Sequence, residues 1–166
     1  QVWCTDFTYL YLANGSVRYN CSVIDLYDRS VLASKNGRWV TSDLAIRTVK
    51  KALQATKADT SNLILHSDQG SQFTSDAFTN ILINNNIRIS IDGQGRWRDN
   101  VFIERLWKTV KYEEVYLKAY ESISHAKKEL KKFFDRYNTR RPHQGLDDRT
   151  PDEVYLSALP RQREAV

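Results

Sequence analysis

Val2-Trp3-Cys4-Thr5-Asp6-Phe7-Thr8-Tyr9-Leu10-Tyr11-Leu12, then Ala13-Asn14-Gly15-Ser16, then Val17 to Leu26 decides the fold. The first run is rich in aromatic and β-branched residues, which suit a pleated strand. Ala13 to Ser16 supplies the turn chemistry of a hairpin, and Val17 to Leu26 reads as the returning strand. Asp28-Arg29 makes a second tight reversal before a strand over Ser30 to Ser34, which the turn signal Asn36-Gly37 ends. The result is an antiparallel three-strand meander.

Downstream, the hydrophobic period changes. Ser42 or Asp43 caps a helix in which Ala45, Ile46, Val49, Ala52 and Leu53 recur at helical spacing. Leu63-Ile64-Leu65 is too short for a helix and too apolar for a loop, so it reads as a buried strand with Asp68 just past its carboxyl end. Thr74 or Ser75 caps the next helix, and Ile87 to Ile91 forms a fifth strand. Asp92 to Arg98 has two glycines and no apolar period, which predicts a mobile loop. Asp99 or Asn100 then caps a helix to about Leu117, and Ser122 or Ser124 opens another. Arg140 to Arg149 is polar and turn-rich. Thr150-Pro151-Asp152-Glu153 joins a capping box to a proline at the first helical position, so a short helix to about Ala158 closes the pattern. The expected class is α/β: a mixed five-stranded sheet, three antiparallel strands first, flanked by helices. Residues 1–120 read as the core and 121–166 as a helical extension of the same domain.

At 166 residues the chain suits one domain that buries a core without disulfides. Cys4 and Cys21 lie on neighbouring strands with no Cys-x-x-Cys or Cys/His spacing, so reduced core thiols are expected and zinc is not. No apolar run approaches a membrane span and the start has no signal-peptide pattern, which points to the cytoplasm. The chain has no methionine and enters strand-like sequence directly after Gln1, so a longer parent protein with an upstream region is expected. The net charge of +5 suits a polyanionic partner. Its excess lies downstream of Glu104, where 14 basic residues face 10 acidic ones.

Two short segments carry the chemistry: His66-Ser67-Asp68-Gln69-Gly70-Ser71-Gln72-Phe73 and Asp99-Asn100-Val101-Phe102-Ile103-Glu104-Arg105-Leu106-Trp107. If Asp6 folds beside them, three carboxylates converge, and like charges held close repel unless a cation sits between them. A hard divalent ion such as Mg²⁺, bound through oxygen, resolves that conflict. Such ions serve in-line phosphoryl transfer, so a metal-dependent enzyme acting on nucleic acid is the first reading. At 100° per residue, Asn100, Glu104 and Lys111 line one edge of the buried stripe made by Ile103, Leu106, Trp107 and Val110. Glu104 can then point toward Asp68 while Lys111, two turns on, points the same way as a cation for a DNA end.

Six ordered segments carry a resemblance. They are Trp3-x-Thr5-Asp6-Phe7-Thr8, Val23-Ile24-Asp25-Leu26-Tyr27-Asp28-Arg29, His66-Ser67-Asp68-x-Gly70-Ser71-Gln72-Phe73, Asp99-Asn100-x-x-x-Glu104, Lys111, and Tyr137-Asn138-x-x-Arg141-Pro142-His143-x-x-Leu146. From Trp3 to about Tyr155 the chain resembles the catalytic region of bacterial insertion-sequence transposases of the DDE class, relatives of retroviral integrases. The resemblance implies an RNase H-like integrase core with a catalytic and metal-binding triad of Asp6, Asp68 and Glu104 and two Mg²⁺ or Mn²⁺ ions. It also implies that Lys111 contacts the transposon end. The implied reactions are strand nicking at the element's ends and attack of the freed 3′-hydroxyl on another phosphodiester. Element-end and target DNA are then the partners, and a homo-oligomer is expected on DNA, in the bacterial cytoplasm near the nucleoid. The family's upstream helix-turn-helix region is absent from this sequence. Asn86 stands where a glycine is common before the fifth strand.

Each residue also has a plainer reading. Asp6 fits the surface of an alternating strand, Asp68 fits a turn or helix cap, and Glu104 with Lys108 makes an ordinary i, i+4 pair. Trp97, between Arg96 and Arg98, either stacks on a base or tucks against the core. Asn100, Lys108, Arg96, Trp97, Arg98 and Arg141 join Lys111 as candidate DNA contacts. Asp25 and Asp28 are assigned to structure or turns, His66 to packing, Trp107 to the core, and Lys127 to Lys132 to a solvated helix face. Arg140, Arg141 and His143 either bind DNA or dock the tail. Two rivals to the transposase reading remain: a catalytically silent or truncated DNA-binding fragment, and a structure-selective nuclease of the same fold.

Overall fold

The computed structural model describes residues 1–91 and 101–159. Its meander is formed by β1 (Val2–Tyr11), β2 (Val17–Asp25) and β3 (Val31–Gly37), antiparallel throughout. β4 (Ile64–Ser67) and β5 (Arg88–Ile91) then add parallel to β1, giving one mixed sheet in the order β3-β2-β1-β4-β5. Around it lie α1 (Ser42–Ala55), α2 (Ser71–Thr74), α3 (Asp76–Asn84), α4 (Val101–Val110), α5 (Ile123–Arg140) and α6 (Pro151–Ala158). No described helix is long and apolar enough to cross a membrane.

Strand alternation divides the core between the two faces of the sheet. Trp3 and Phe7 of β1 join Cys21 and Val23 of β2 against Leu44, Val49 and Ala52 of α1 and Phe78 and Leu82 of α3. Cys4 and Leu10 face the other way, against Ile103, Leu106 and Trp107 of α4 and Leu130, Phe133, Phe134 and Tyr137 of α5. The two thiols therefore sit in separate clusters, both buried and neither in a disulfide.

Several boundaries differ from the sequence expectation, each for a tertiary reason. β3 does not stop at Ser34: Lys35, Asn36 and Gly37 go on pairing with Cys21, Asn20 and Tyr19. Gly37 serves close packing rather than a turn, because a Cβ there would meet Leu44 Cδ2 at 2.6 Å. The cap of α1 is Thr41, whose side chain accepts from Leu44 N, while Ser42 accepts from Ser75 Oγ at 2.8 Å. Ser75 caps α3 as expected, but the single turn of α2 precedes it. The helix after Val110 continues as a π turn over Lys111–Val115, with Tyr116 N donating to Lys111 O at 2.9 Å. Ser122 caps α5, and Thr150 with Glu153 forms the full capping box on α6. Asn86 adopts φ 56° before β5, a left-handed conformation that asparagine tolerates better than most residues. The expected loop over Asp92 to Arg98 and the Asp99 or Asn100 cap lie outside the described residues.

Candidate active site

β1 carries Asp6 past the end of its shorter neighbour. The β1–β4 ladder runs Val2↔Ile64, Trp3↔Leu65, Cys4↔His66. Two residues further along each chain stand Asp6 and Asp68, so the parallel register brings the two carboxylates level. Asp68 is the first residue beyond β4, at the sheet edge where carboxyl ends of strands in α/β folds present functional groups. Its Oδ1 accepts from Gly70 N at 2.8 Å, closing an Asx turn. A Cβ on Gly70 would lie 2.1 Å from Gln72 Nε2 and 2.9 Å from Asp68 Oδ1, so a larger residue there displaces the ends of those two side chains, the Asp68 carboxylate among them. Asp68 is thus a turn residue and a candidate site residue together.

Asp6 is half-buried, with both oxygens held. Oδ1 accepts from Phe7 N at 2.7 Å and Oδ2 accepts from Trp107 Nε1 at 3.0 Å. Its carboxyl is raised to about 6, chiefly by burial; the two N–H donors lower it, and the charges of Asp68 and Glu104 add smaller upward contributions. That electrostatic coupling joins the three acids. Glu104 is exposed on α4, three residues before Trp107 and so on a neighbouring position of the same face. Among the described residues, no three His, Cys, Asp or Glu side chains are grouped as a ready metal-binding set. The all-carboxylate donor chemistry suits a hard divalent cation, and a cation would offset the repulsion felt at Asp6. The spacing here does not close around one.

Other expected site residues fall around this centre unevenly. Lys111 lies one turn beyond Trp107, its Nζ 3.9 Å from the ring centroid of Tyr9, three residues after Asp6 on β1. Lys108 is exposed on the same helix. Arg141 forks onto Glu113, with Nη2 to Oε1 at 2.8 Å and a second contact from Nη1 to Oε2. Arg96, Trp97, Arg98 and Asn100 lie outside the described residues. Trp107 is a core residue, as expected, but its donor role toward Asp6 escapes periodicity. The available signal was its indole N–H, which seeks a partner when buried.

The remaining motif residues hold the frame. Asp25 is buried and accepts from Trp3 Nε1 at 3.0 Å and Tyr27 N at 2.7 Å. Arg29, at φ 66°, lays its guanidinium 3.5 Å from the centroid of Phe102 at the start of α4. Asn138 accepts from Val31 N at 2.9 Å and donates to Val31 O at 3.0 Å, capping the outer edge of β3. His143 packs on Tyr137 at 4.9 Å, and His66 Nδ1 lies 2.9 Å from Ser90 Oγ. Within the lysine run, Lys131 pairs with Asp135 and Lys132 with Glu129, both at 2.7 Å.

Comparison with known proteins bears on this geometry. Residues 1–96 match one integrase core domain family and residues 85–151 match another of the same description. The transposase for insertion sequence element IS904 of Lactococcus lactis is 31% identical over 92% of this chain and 60% of its own length. The putative transposase InsK for IS150 of Escherichia coli K12 is 30% identical over 92% of this chain and 53% of its own length. The chain thus spans a little over half the length of these curated relatives. Among solved structures, a chain of the simian T-cell lymphotropic virus intasome in complex with PP2A regulatory subunit B56 gamma superposes with TM-score 0.80 at 18% identity, covering 100% of this chain and 58% of that one. The HTLV-2 integrase catalytic core domain in complex with magnesium gives 0.70 at 17% identity, covering 93% and 95%. At such identities the likeness is one of fold: an α/β, RNase H-like integrase core.

Proposed function

Because the chain belongs to the integrase core domain family, we propose that it carries the DNA strand-nicking and strand-transfer centre of an insertion-sequence transposase. Asp6, Asp68 and Glu104 are the catalytic residues in this reading, and they would hold divalent metal, Mg²⁺ or Mn²⁺, as two ions. Bound metal would supply Lewis acidity, lowering the pKa of an attacking water or 3′-hydroxyl and neutralising the leaving oxygen. Asp6 contributes a rigid ligand, fixed by Phe7 N and Trp107 Nε1. Asp68 contributes a second from the turn that closes β4. Glu104 contributes a longer side chain, exposed and free to adjust as DNA enters. Lys111 holds a phosphate of the DNA end as a point charge, leaving the Tyr9 ring to do so. Lys108, Arg141, Arg96, Trp97, Arg98 and Asn100 are further candidate DNA contacts.

The observation that carries this reading is the Asp6–Trp107 hydrogen bond, which locks the β1 carboxylate to the helix face bearing Glu104 while both other acids raise its pKa. Support comes from the curated relatives, whose names are those of transposases, and from a fold neighbour solved with magnesium in a dimeric form. Element-end and target DNA are the proposed partners, with a homo-oligomer assembled on them.

The test is nicking and strand transfer on element-end DNA by the full-length protein with Mg²⁺ or Mn²⁺. Asp68→Asn and Glu104→Gln each abolish both reactions; unchanged activity in either defeats the proposal. The absence of a ready metal-binding group among the described residues favours one rival, a catalytically silent module. Mn²⁺ titration separates them, since a silent module gains no carboxylate-dependent thermal stabilisation.

A further inference from the structure

A single π turn over Lys111–Val115 follows α4, closed by Tyr116 N donating to Lys111 O at 2.9 Å. In an uninterrupted α-helix Val115 would fall about 20° from Glu104, on the edge that faces the site. Instead Glu114 and Val115 are both buried, at 2% and 5% exposure. The extra residue in the turn absorbs that change of phase, so Lys111 is the last position that keeps the phase of Glu104. Turns of this kind recur at functional sites, and this one begins on the residue read as the DNA-end contact.

A buried carboxylate is costly unless it is paired and hydrogen-bonded. Glu114 Oε1 accepts from Lys118 Nζ at 3.0 Å and from the Tyr120 hydroxyl at 3.1 Å. Lys118 also reaches Glu129 of α5 at 2.6 Å. Tyr120, itself fully buried, returns the path to the sheet: its carbonyl accepts from Ala13 N at 2.8 Å, where Leu12 bridges to it just past β1. Lys111 Nζ lies 3.9 Å from the centroid of the Tyr9 ring on that same strand. The contacts form a closed ring: Tyr9 to Lys111, through the π turn to Glu114, then to Tyr120 and back to the end of β1. On the outer side Arg141 grips Glu113. Well-packed apolar residues in place of a buried ion pair are often no less stable, so cohesion alone is a weak reason for a charge inside this ring. Satisfied buried polar networks rigidify what they join.

We propose that Glu114 is a positioning residue: held by Lys118 and Tyr120, it fixes the π turn and so sets where Lys111 stands against β1 to grip the DNA end. Glu114, inside the core, does not touch DNA. The inference rests on the reading of Lys111 as the contact to that end. It assigns Glu114 to binding rather than to the chemical step, because Glu104 lies on the α-helical part before the π turn. The test uses the full-length protein and a fluorescein-labelled element-end duplex, with affinity from anisotropy in EDTA and the nicking rate at saturating duplex with Mg²⁺. Lys111→Ala weakens binding about tenfold, the size of one charge-assisted contact. Glu114→Gln keeps the shape and an acceptor for Tyr120 but removes the charge facing Lys118. It weakens binding about fivefold and leaves the saturated nicking rate within about twofold of wild type. Added to Lys111→Ala it costs nothing further, because the residue it positions is already gone. Tyr120→Phe deletes one hydroxyl and no charge; it gives the same pattern at smaller size and keeps the test decisive if Glu114→Gln does not fold.

Losses that multiply in the double variant overturn the proposal, since Glu114 then supports the fold without acting through Lys111. So does a saturated nicking rate that falls as far as the affinity, because the whole helix has then moved. Unchanged affinity in both Glu114→Gln and Tyr120→Phe overturns it as well. Lys111→Ala that binds like wild type removes Lys111 as the DNA-end contact and this proposal with it, while the carboxylate reading stands. Absence of nicking under any metal sinks the catalytic reading alone, because the affinities of the variants remain measurable and still decide the role of Glu114.

Discussion

Trp107 fills the core beneath β1 and gives its only polar hydrogen to Asp6. Trp107→Phe keeps an aromatic ring and deletes the donor, which costs about 1 kcal/mol of stability and roughly fivefold in strand transfer if that energy is lost from the transition state. The Asp6 pKa rises further, because one of its two lowering partners is gone, so the acidic limb of the pH–rate profile moves up. Thermal melting and that profile check both effects; a profile unchanged in shape counts against the positioning role. Asp28 offers a stability counterpart. Burial pushes its carboxyl up to about 6, opposed by hydrogen bonding to Ser30 and reinforced by Asp25. A carboxyl raised above its unfolded value destabilises the ionised fold, so stability falls as pH rises from about 4 through 6. Asp28→Asn therefore raises the melting temperature at pH 8, and the gain fades toward pH 4.

Asn138 and Arg141 show how one element disciplines others. From α5, Asn138 holds Val31 at the sheet edge, and just past it Arg141 grips Glu113 on the π turn that follows α4. Arg29 grips the other end of α4 through Phe102, so the helix bearing Glu104 is tied at both ends. Asn138→Ala removes both hydrogen bonds to Val31 and costs about 1–2 kcal/mol. Chemical denaturation measures the loss, and hydrogen exchange shows faster opening at Val31 than in β1. Unchanged exchange there shows that the amide is not what restrains the edge. The run Tyr137 to Leu146 was legible as a motif, but its role was not. A side chain that imitates a strand is recognised only once the strand it caps is in place.

At the scale of the molecule, the division into a core over 1–120 and an extension over 121–166 is best read as one cooperative unit. Leu130, Phe133, Phe134 and Tyr137 of α5 share a single cluster with Ile103, Leu106 and Trp107 of α4. Burying each such side chain contributes about 1.5–3 kcal/mol, so the four together rival the about 5–15 kcal/mol that holds a typical domain. A chain ending at residue 120 consequently lacks near-ultraviolet dichroism and dispersed amide resonances. A folded 1–120 fragment refutes that unity.

The sequence alone determined the strand order of the meander, the five strands, the cap at Thr150, and the candidacy of Asp6, Asp68 and Glu104. Each is written in local periodicity, in capping and turn chemistry, or in residue types at matched spacing. Only the tertiary structure decided that β3 runs on through Gly37 and that Gly37 answers to Leu44. It alone decided that Trp107 donates to Asp6, that Arg141 spends its fork on Glu113, and that Tyr120 ties the π turn back to the end of β1. Those relations join residues distant along the chain through a distance or an angle, and no local pattern encodes a distance between elements that packing has yet to set.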